Sequence, residues 1–326
     1  MHINSHSLDD REFALLAEVP NLEAIHIRSR KFSGSGLAAF KGSKSLKKLY
    51  LDACGLTDEN LAHVGELGAL EHLAIQKTQV TAAGFKYLAK LKNLHTLVYD
   101  FPQWTDKSFA ALKNVAYLET LDLFKSGITD AGLSHIELLP KLKKLKVGPR
   151  ITDAGLVHLR KLSSLEELNL DFSQVKGPGL ENLNDLSHLK RLSLSRVGLS
   201  DEDLQYLQGL KHVEEIDFRT AEFSGKGLVH LKELQNLRSL NFLLSKFSDD
   251  GLKQVRDLPQ LEKLGLVFTK ITVKGLENLK GHAGLKSLKL SDILSEDDAR
   301  ALLEFLPNCE ITISNNFGDR VLKLDK

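Results

Sequence analysis

A motif of about two dozen residues recurs along the whole chain, and this limits the fold more than any other feature. Units begin at Leu22, Leu46, Leu70, Leu94, Leu118, Leu142, Leu165, Leu189, Val213, Leu237, Leu261 and Leu285. The spacing is 24 residues, except for one 23-residue unit from Leu142 to Ser164. A half unit precedes the array, with Leu8, Phe13, Leu16 and Val19 in the expected slots. Repeats of this length bury their apolar faces on one another rather than in one central core. A chain of 326 residues therefore reads as one domain, although length alone would suggest two. Its parts are a half repeat at 8–21, twelve repeats at 22–308, a terminal strand at 309–314 and a polar tail at 315–326.

Each unit carries two periodicities. Leu118, Leu121 and Leu123 give LxxLxL, whose last part alternates with period two, as in a strand with one buried face. Leu156, Leu159 and Leu162 recur at helical spacing and share a face. Between them stands Ser or Thr followed by Asp, as in Thr57-Asp58, Thr105-Asp106, Thr129-Asp130, Thr152-Asp153, Ser200-Asp201 and Ser248-Asp249. The hydroxyl suits a helix N-cap, and the Asp suits the positive end of the helix dipole. Gly84, Gly132, Gly155, Gly227 and Gly251, just before the first helical Leu, are expected to let helix and strand pack closely. Strand, turn, helix and loop in succession stack strands on one side and helices on the other, and the bulkier helices curve the stack with the strands inside.

The pattern LxxLxLxx(S/T/C)xxITDxGLxxLxxL resembles the leucine-rich repeat over residues 8–314, and is most similar to the cysteine-containing subclass found in F-box receptors and bacterial repeat proteins. The resemblance implies an α/β solenoid, a horseshoe with a parallel β-sheet on the concave face and helices on the convex face. It implies little about function, because sites rather than folds decide function. The ninth position departs from the subclass: Cys54, Thr78, Ser126, Ser173, Ser245 and Thr269 occupy it, and Pro102, Val197 and Ala221 interrupt it. Cys54 thus reads as a turn residue in a small-polar column. No F-box-like segment precedes the repeats, and the disulfide-capped ends of secreted animal members are missing.

Composition narrows the function. With 44 basic and 43 acidic residues the net charge is +1, so there is no global pull toward nucleic acid or an anionic membrane. No run of about 18 apolar residues is present to span a membrane. The first ten residues lack the basic and apolar regions of a secretory signal, and Cys54 and Cys309 lie more than ten repeats apart, so no disulfide is expected. A reducing, cytoplasmic setting is the expectation.

Catalytic and metal motifs dissolve into the repeat. His63, His135, His158 and His230 share one helix slot, one per unit, whereas a zinc site needs three or four converging ligands. The glycine-rich stretches at 34–36, 176–179 and 225–227 lack phosphate-loop spacing and fall where other units have DAG. Trp104 replaces the Ile of the ITD motif and is expected to fill the core. The acid pairs Asp9-Asp10, Asp249-Asp250 and Asp297-Asp298 sit at helix starts, where capping accounts for them. No enzyme activity, cofactor or metal is expected.

Binding information should lie where stacking does not dictate the residue. Positions three, five and seven of each unit point outward from the strand face, and position eight follows at its rim. Two apolar clusters arise there. One comprises Val98, Phe101 and Phe124, with Phe172 further along; the other comprises Leu243, Leu244, Val267 and Phe268. The acids Asp52, Asp100, Asp122 and Asp171 line the first cluster, the bases Lys144, Lys146, Arg191, Arg196 and Arg219 follow it, and Tyr50 at position five joins the candidate binding residues. Exposed aromatics ringed by mixed charge are typical of protein interfaces. An alternative stays open: the position-eight aromatics pack locally at the rim, and Leu243 and Val267 pair across neighbouring strands. The leading expectation is a module that binds a protein or extended peptide through the concave face. The alternatives are the recognition domain of a larger bacterial effector or sensor, self-assembly, or an enzyme.

Overall fold

The computed structural model describes residues 2–100, 105–315 and 318–322. Trp104 lies outside them. The chain divides into two compact units, one built from 1–151 and 161–165, the other from 152–160 and 166–326.

The first unit carries β1 (His2–Ser5), β2 (Ala24–Ile27), β3 (Lys48–Asp52), β4 (His72–Gln76), β5 (Thr96–Asp100), β6 (Thr120–Asp122) and β7 (Lys144–Lys146). They pair in parallel, in chain order, each one repeat from the next; Leu49, Leu73, Leu97, Leu121 and Leu145 form one cross-strand row. These leucines are buried, as the period-two pattern requires. The leading strand β1 completes the half repeat; its sequence HINS lacks the apolar alternation that marks the others.

The second unit repeats the plan with β8 (Glu167–Asn169), β9 (Arg191–Ser193), β10 (Glu215–Asp217), β11 (Ser239–Asn241), β12 (Lys263–Leu266), β13 (Ser287–Ser291) and β14 (Glu310–Asn315), all parallel. The tail, expected to be merely polar, supplies β15 (Gly318–Val321), which turns back antiparallel along β14 and is exposed throughout. Each backbone donor it satisfies is one that an open sheet edge would leave unpaired.

The helical segments are shorter and tighter than an α-helical reading expects. Ser35–Phe40, Ala82–Lys90, Gly177–Leu183, Glu202–Leu207 and Lys226–Leu231 are 3-10 helices. The α-helices include Asp10–Leu15, Asp58–Val64 and Asp106–Phe109, with Glu296–Phe305 at 10 residues the longest described. A turn and a loop must fit between successive strands along with the helical segment, so few residues remain for regular helix.

The Asp of the ITD-type turn has a role beyond the dipole. Asp58 accepts the Thr81 amide at 2.7 Å and its hydroxyl at 2.5 Å, one repeat on. Asp249 does the same for Thr272 at 2.8 and 2.7 Å. Asp10 takes the amides of Ser33, Gly34 and Gly36, and Asp201 those of Ser224, Gly225 and Gly227. The device recurs at Asp106, toward the Thr129 amide and hydroxyl, and at Asp153, toward the Lys176 amide. It also corrects the expected role of the helix-start glycines. A Cβ on Gly84 would lie 2.5 Å from Asp58 Oδ1, and one on Gly227 2.0 Å from the Asp201 carbonyl oxygen. Gly84, Gly132 and Gly227 make room for the preceding repeat's Asp, not for a strand, whereas Gly251 makes room for the Phe247 ring.

The hydroxyl cap expected at every helix start holds at Thr57, Thr152 and Thr272, whose side chains accept an amide of their own helix. At Thr105, Thr129 and Ser248 it does not, and the Thr129 hydroxyl donates to Asp106 instead. In the ninth-position column Cys54, Thr78, Ser126, Ser173 and Ser245 are buried, and two hydroxyls of the column close the turn after their strand. Ser126 and Thr269 donate to the carbonyls of Leu123 and Leu266 at 2.7 and 2.8 Å. Cys54 sits in the same slot, buried, and burial pushes its thiol pKa up; burial raises that of Cys309 to about 11. Neither is poised as a nucleophile.

Candidate binding face

In the first unit the strand register builds rows of outward side chains. Tyr50, Ala74, Val98, Asp122 and Lys146 form one row; Lys48, His72, Thr96, Thr120 and Lys144 form another. Tyr50 is half-buried between two imidazoles, 5.7 Å from His26 and 4.8 Å from His72. Burial, then the nearby Lys48 charge, lowers the His72 pKa. Asp52 lies 3.4 Å from the Arg28 guanidinium. Val98 and Phe124 are half-buried, and the Lys146 ammonium stands 4.2 Å over the Phe124 ring, within cation–π range. Phe101 lies outside the described residues, as does the side chain of Asp100.

Asp122 has local work to do. Its Oδ1 accepts the Phe124 amide at 2.9 Å, bracing the end of the strand. The same turn recurs at position five in the second unit. Asn169 accepts the Asp171 amide, Asp217 that of Arg219, and Asn241 that of Leu243. Asx side chains favour this closure two residues on. The shared Asp or Asn at position five was a usable sequence signal for it.

Two site expectations in the second unit need correction. Asp171, expected outward, is 7% exposed, because Ser193 Oγ at 2.5 Å, the Ser195 amide at 2.9 Å and Asn169 Nδ2 at 3.0 Å draw its carboxylate in. Val267 is also 7% exposed, covered within the sheet. Neither offers a free surface. Arg219 bridges this buried network to Asp217, with Nε 2.7 Å from Asp217 Oδ2 and Nη2 3.9 Å from Asp171 Oδ2. Burial pushes the Asp217 pKa up, and the Asp171 charge adds to this, against the opposing pull of Arg219. Sequence reasoning placed these residues on the face but missed their mutual engagement.

What remains exposed is the rim. Phe172, Leu244 and Phe268 are 42%, 57% and 46% exposed, and Leu243 is half-buried. Phe172, Arg196, Thr220, Leu244 and Phe268, the eighth residues of five consecutive repeats, all have left-handed backbone, with φ from 54° to 64°. The amides of Phe172, Thr220 and Leu244 donate to carbonyls of the following repeat at 2.8–2.9 Å, which fixes the unusual conformation. The Arg196 guanidinium lies 5.2 Å from the Phe172 ring centre. Left-handed backbone disfavours any side chain with a Cβ, and bulky ones most.

Among the described residues no three His, Cys, Asp or Glu side chains converge as a metal site would require, and no helix is long and apolar enough to cross a membrane.

This arrangement of parallel strands and helical segments, one pair per repeat, is the leucine-rich-repeat fold. A family model described as leucine-rich repeat matches residues 116–136. The structure is similar to an internalin from Listeria monocytogenes, with a TM-score of 0.63, 20% identity, and 93% of this chain and 82% of that chain covered. It is also similar to a leucine-rich-repeat protein from Leptospira interrogans, with a TM-score of 0.52, 18% identity, and 95% and 89% covered. No curated protein matches the sequence. Domains of this fold are generally protein-interaction modules, and typically scaffolds for binding rather than catalysts.

Proposed function

We propose that this chain binds a protein or an extended peptide on the strand side of its second unit. Phe172, Leu244 and Phe268 serve as apolar anchors, and Arg196 and Arg219 supply charge beside them. The observation that carries this reading is the exposure of Leu244 and Phe268, 57% and 46%, on neighbouring repeats in left-handed backbone. Neither burial nor backbone preference favours large apolar residues there, so a role in contact is the remaining reason for them. The face mixes Glu167, Arg191, Glu215 and Lys263 along one row, which suits a protein surface better than a polyanion.

The test is affinity capture with wild type beside a Leu244→Gly/Phe268→Gly double variant, once both are shown to melt alike. Glycine accepts left-handed backbone, so the fold is kept while the anchors go. Proteins retained by wild type and lost by the variant are expected. Identical retention by both would remove the anchors from the interface.

A further inference from the structure

A second feature, in the first unit and separate from that rim, has a different chemistry. The turns after β1, β2 and β3 enclose an open cleft of about 400 Å³, lined by His6, Ser7, Arg28, Ser29, Arg30, Lys31 and Ala53. Three of these seven carry fixed positive charge, a fourth is histidine, and none is acidic. The segment Arg28-Ser29-Arg30-Lys31 stands out in a chain whose net charge is only +1.

The turn is held in place by its own backbone. The Arg28 amide donates to the Ser5 carbonyl at 2.9 Å, and the Phe32 amide to the Ser29 carbonyl at 3.2 Å. Ser29 is 3% exposed, and its Oγ accepts the Lys31 amide at 3.3 Å. Phe32 is fully buried against Phe13, ring centres 4.6 Å apart, which anchors the far end. The basic side chains therefore rise from a braced turn rather than from a loose tail. Arg28 shares its charge with Asp52, at 3.4 Å from Nε. Among the described residues, Arg30 and Lys31 pair with no carboxylate, although exposed lysines elsewhere in the unit, such as Lys47, Lys90 and Lys143, do.

We propose that this cleft binds a tetrahedral oxyanion, the phosphate or sulfate group of a small ester. Guanidinium and ammonium groups donate only, and a guanidinium fork matches two oxygens of such a group. Ser7, exposed in the same walls, adds a hydroxyl-bearing residue. The volume lies in the range of small-molecule sites and exceeds what a bare ion fills. No Phe, Tyr or Trp side chain lines the cleft to stack a base, and the basic stretch covers a single turn, so a nucleic-acid strand is disfavoured.

Calorimetric titration of the intact chain with pyrophosphate at low ionic strength tests this. Saturable binding is expected, weakened roughly tenfold or more in Arg30→Gln/Lys31→Gln, since each charge-assisted hydrogen bond is worth more than a factor of ten. Lys107→Gln/Lys113→Gln, which removes equal charge from exposed helical positions of the same unit, is expected to bind like wild type. Parallel titrations with methyl phosphate and with sulfate at about pH 8, where both are dianions, separate the sources: tighter methyl phosphate binding assigns a phosphoester, tighter sulfate binding a sulfate ester. The proposal is overturned if none of these anions saturates. It is overturned equally if Arg30→Gln/Lys31→Gln binds as well as wild type, or if both double variants weaken alike.

Discussion

The Asp106 carboxylate accepts the Thr129 amide at 2.8 Å and the Thr129 hydroxyl at 2.7 Å, tying one repeat to the turn of the next. Gly132 completes the seat. A Cβ there would come 2.3 Å from Asp106 Oδ1 and 3.0 Å from Asp106 Cα, and a backbone atom cannot step aside as a side-chain tip can. Gly132→Ala should therefore cost about 1–3 kcal/mol, the usual range for overpacking. Urea unfolding measures it. Part of that cost should vanish in an Asp106→Ala background, where the closest clash is gone. A Gly132→Ala chain as stable as wild type would mean the seat has slack.

The first member of the series gives a pH prediction. Burial pushes the Asp10 pKa up, but the amides of Gly36, Ser33 and Gly34 and the Ser33 hydroxyl outweigh it, and the pKa lies below its ordinary value of 3.8. A carboxylate with a depressed folded pKa contributes stability that is complete above its unfolded pKa and lost as pH falls through the folded one. Asp10→Asn should accordingly lie below wild type in unfolding free energy at about pH 6, with the gap closing as pH drops below about 4. A gap of constant size across that range would show that shape, not charge, holds Ser33 and Gly36.

The repeat itself was legible because its signals are redundant. Each of the twelve repeats has large apolar residues, most often leucine, at two fixed slots of its strand segment, so register and burial follow from counting, and Leu49 through Leu145 fall in one row as that count requires. The left-handed backbone at position eight was not legible. Its occupants Ala53, Lys77, Phe172, Arg196, Thr220, Leu244 and Phe268 share no chemistry, because hydrogen bonds to the next repeat, not the side chain, set the conformation. Asp171 was misplaced for a related reason. Its slot points outward, but Ser193 and Ser195 on the neighbouring repeat turn the carboxylate inward, and that partnership spans more than twenty residues. The Asp–Gly seats could have been read from the sequence. Asp58 with Gly84, Asp106 with Gly132, and Asp249 with Gly275 keep the same offset of 26 residues.

That backbone leads to a prediction at the rim. An L-residue in left-handed geometry costs about 1–2 kcal/mol, whereas a glycine loses about 0.5–1 kcal/mol more chain entropy on folding. The two nearly offset. Leu244 and Phe268 are about half exposed, so little burial is lost with them. Leu244→Gly and Phe268→Gly should each melt within about 1 kcal/mol of wild type, while Leu240→Ala, at a site 1% exposed, should lose about 2–5 kcal/mol. Thermal melts of the three variants decide it. A rim variant that falls as far as Leu240→Ala would make that residue part of the core.

Phe247 sits where other repeats carry Ile128, Val175 or Ile271, and its larger ring is accommodated by glycine on both sides. A Cβ on Gly251 would meet the ring at 2.4 Å, and one on Gly225 at 2.5 Å. Phe247 also stacks on Phe242, ring centres 4.2 Å apart. Ring and glycines form one unit, so their substitutions should not add. Gly251→Ala alone should destabilise by about 1–3 kcal/mol. Phe247→Leu alone should also destabilise, through lost volume and lost stacking. Together they should cost less than the sum, by about 1 kcal/mol or more, because the smaller side chain vacates the space the new methyl needs. A double-mutant cycle in urea measures that coupling. Strict additivity would show that Gly251 is required by its own backbone rather than by the ring beside it.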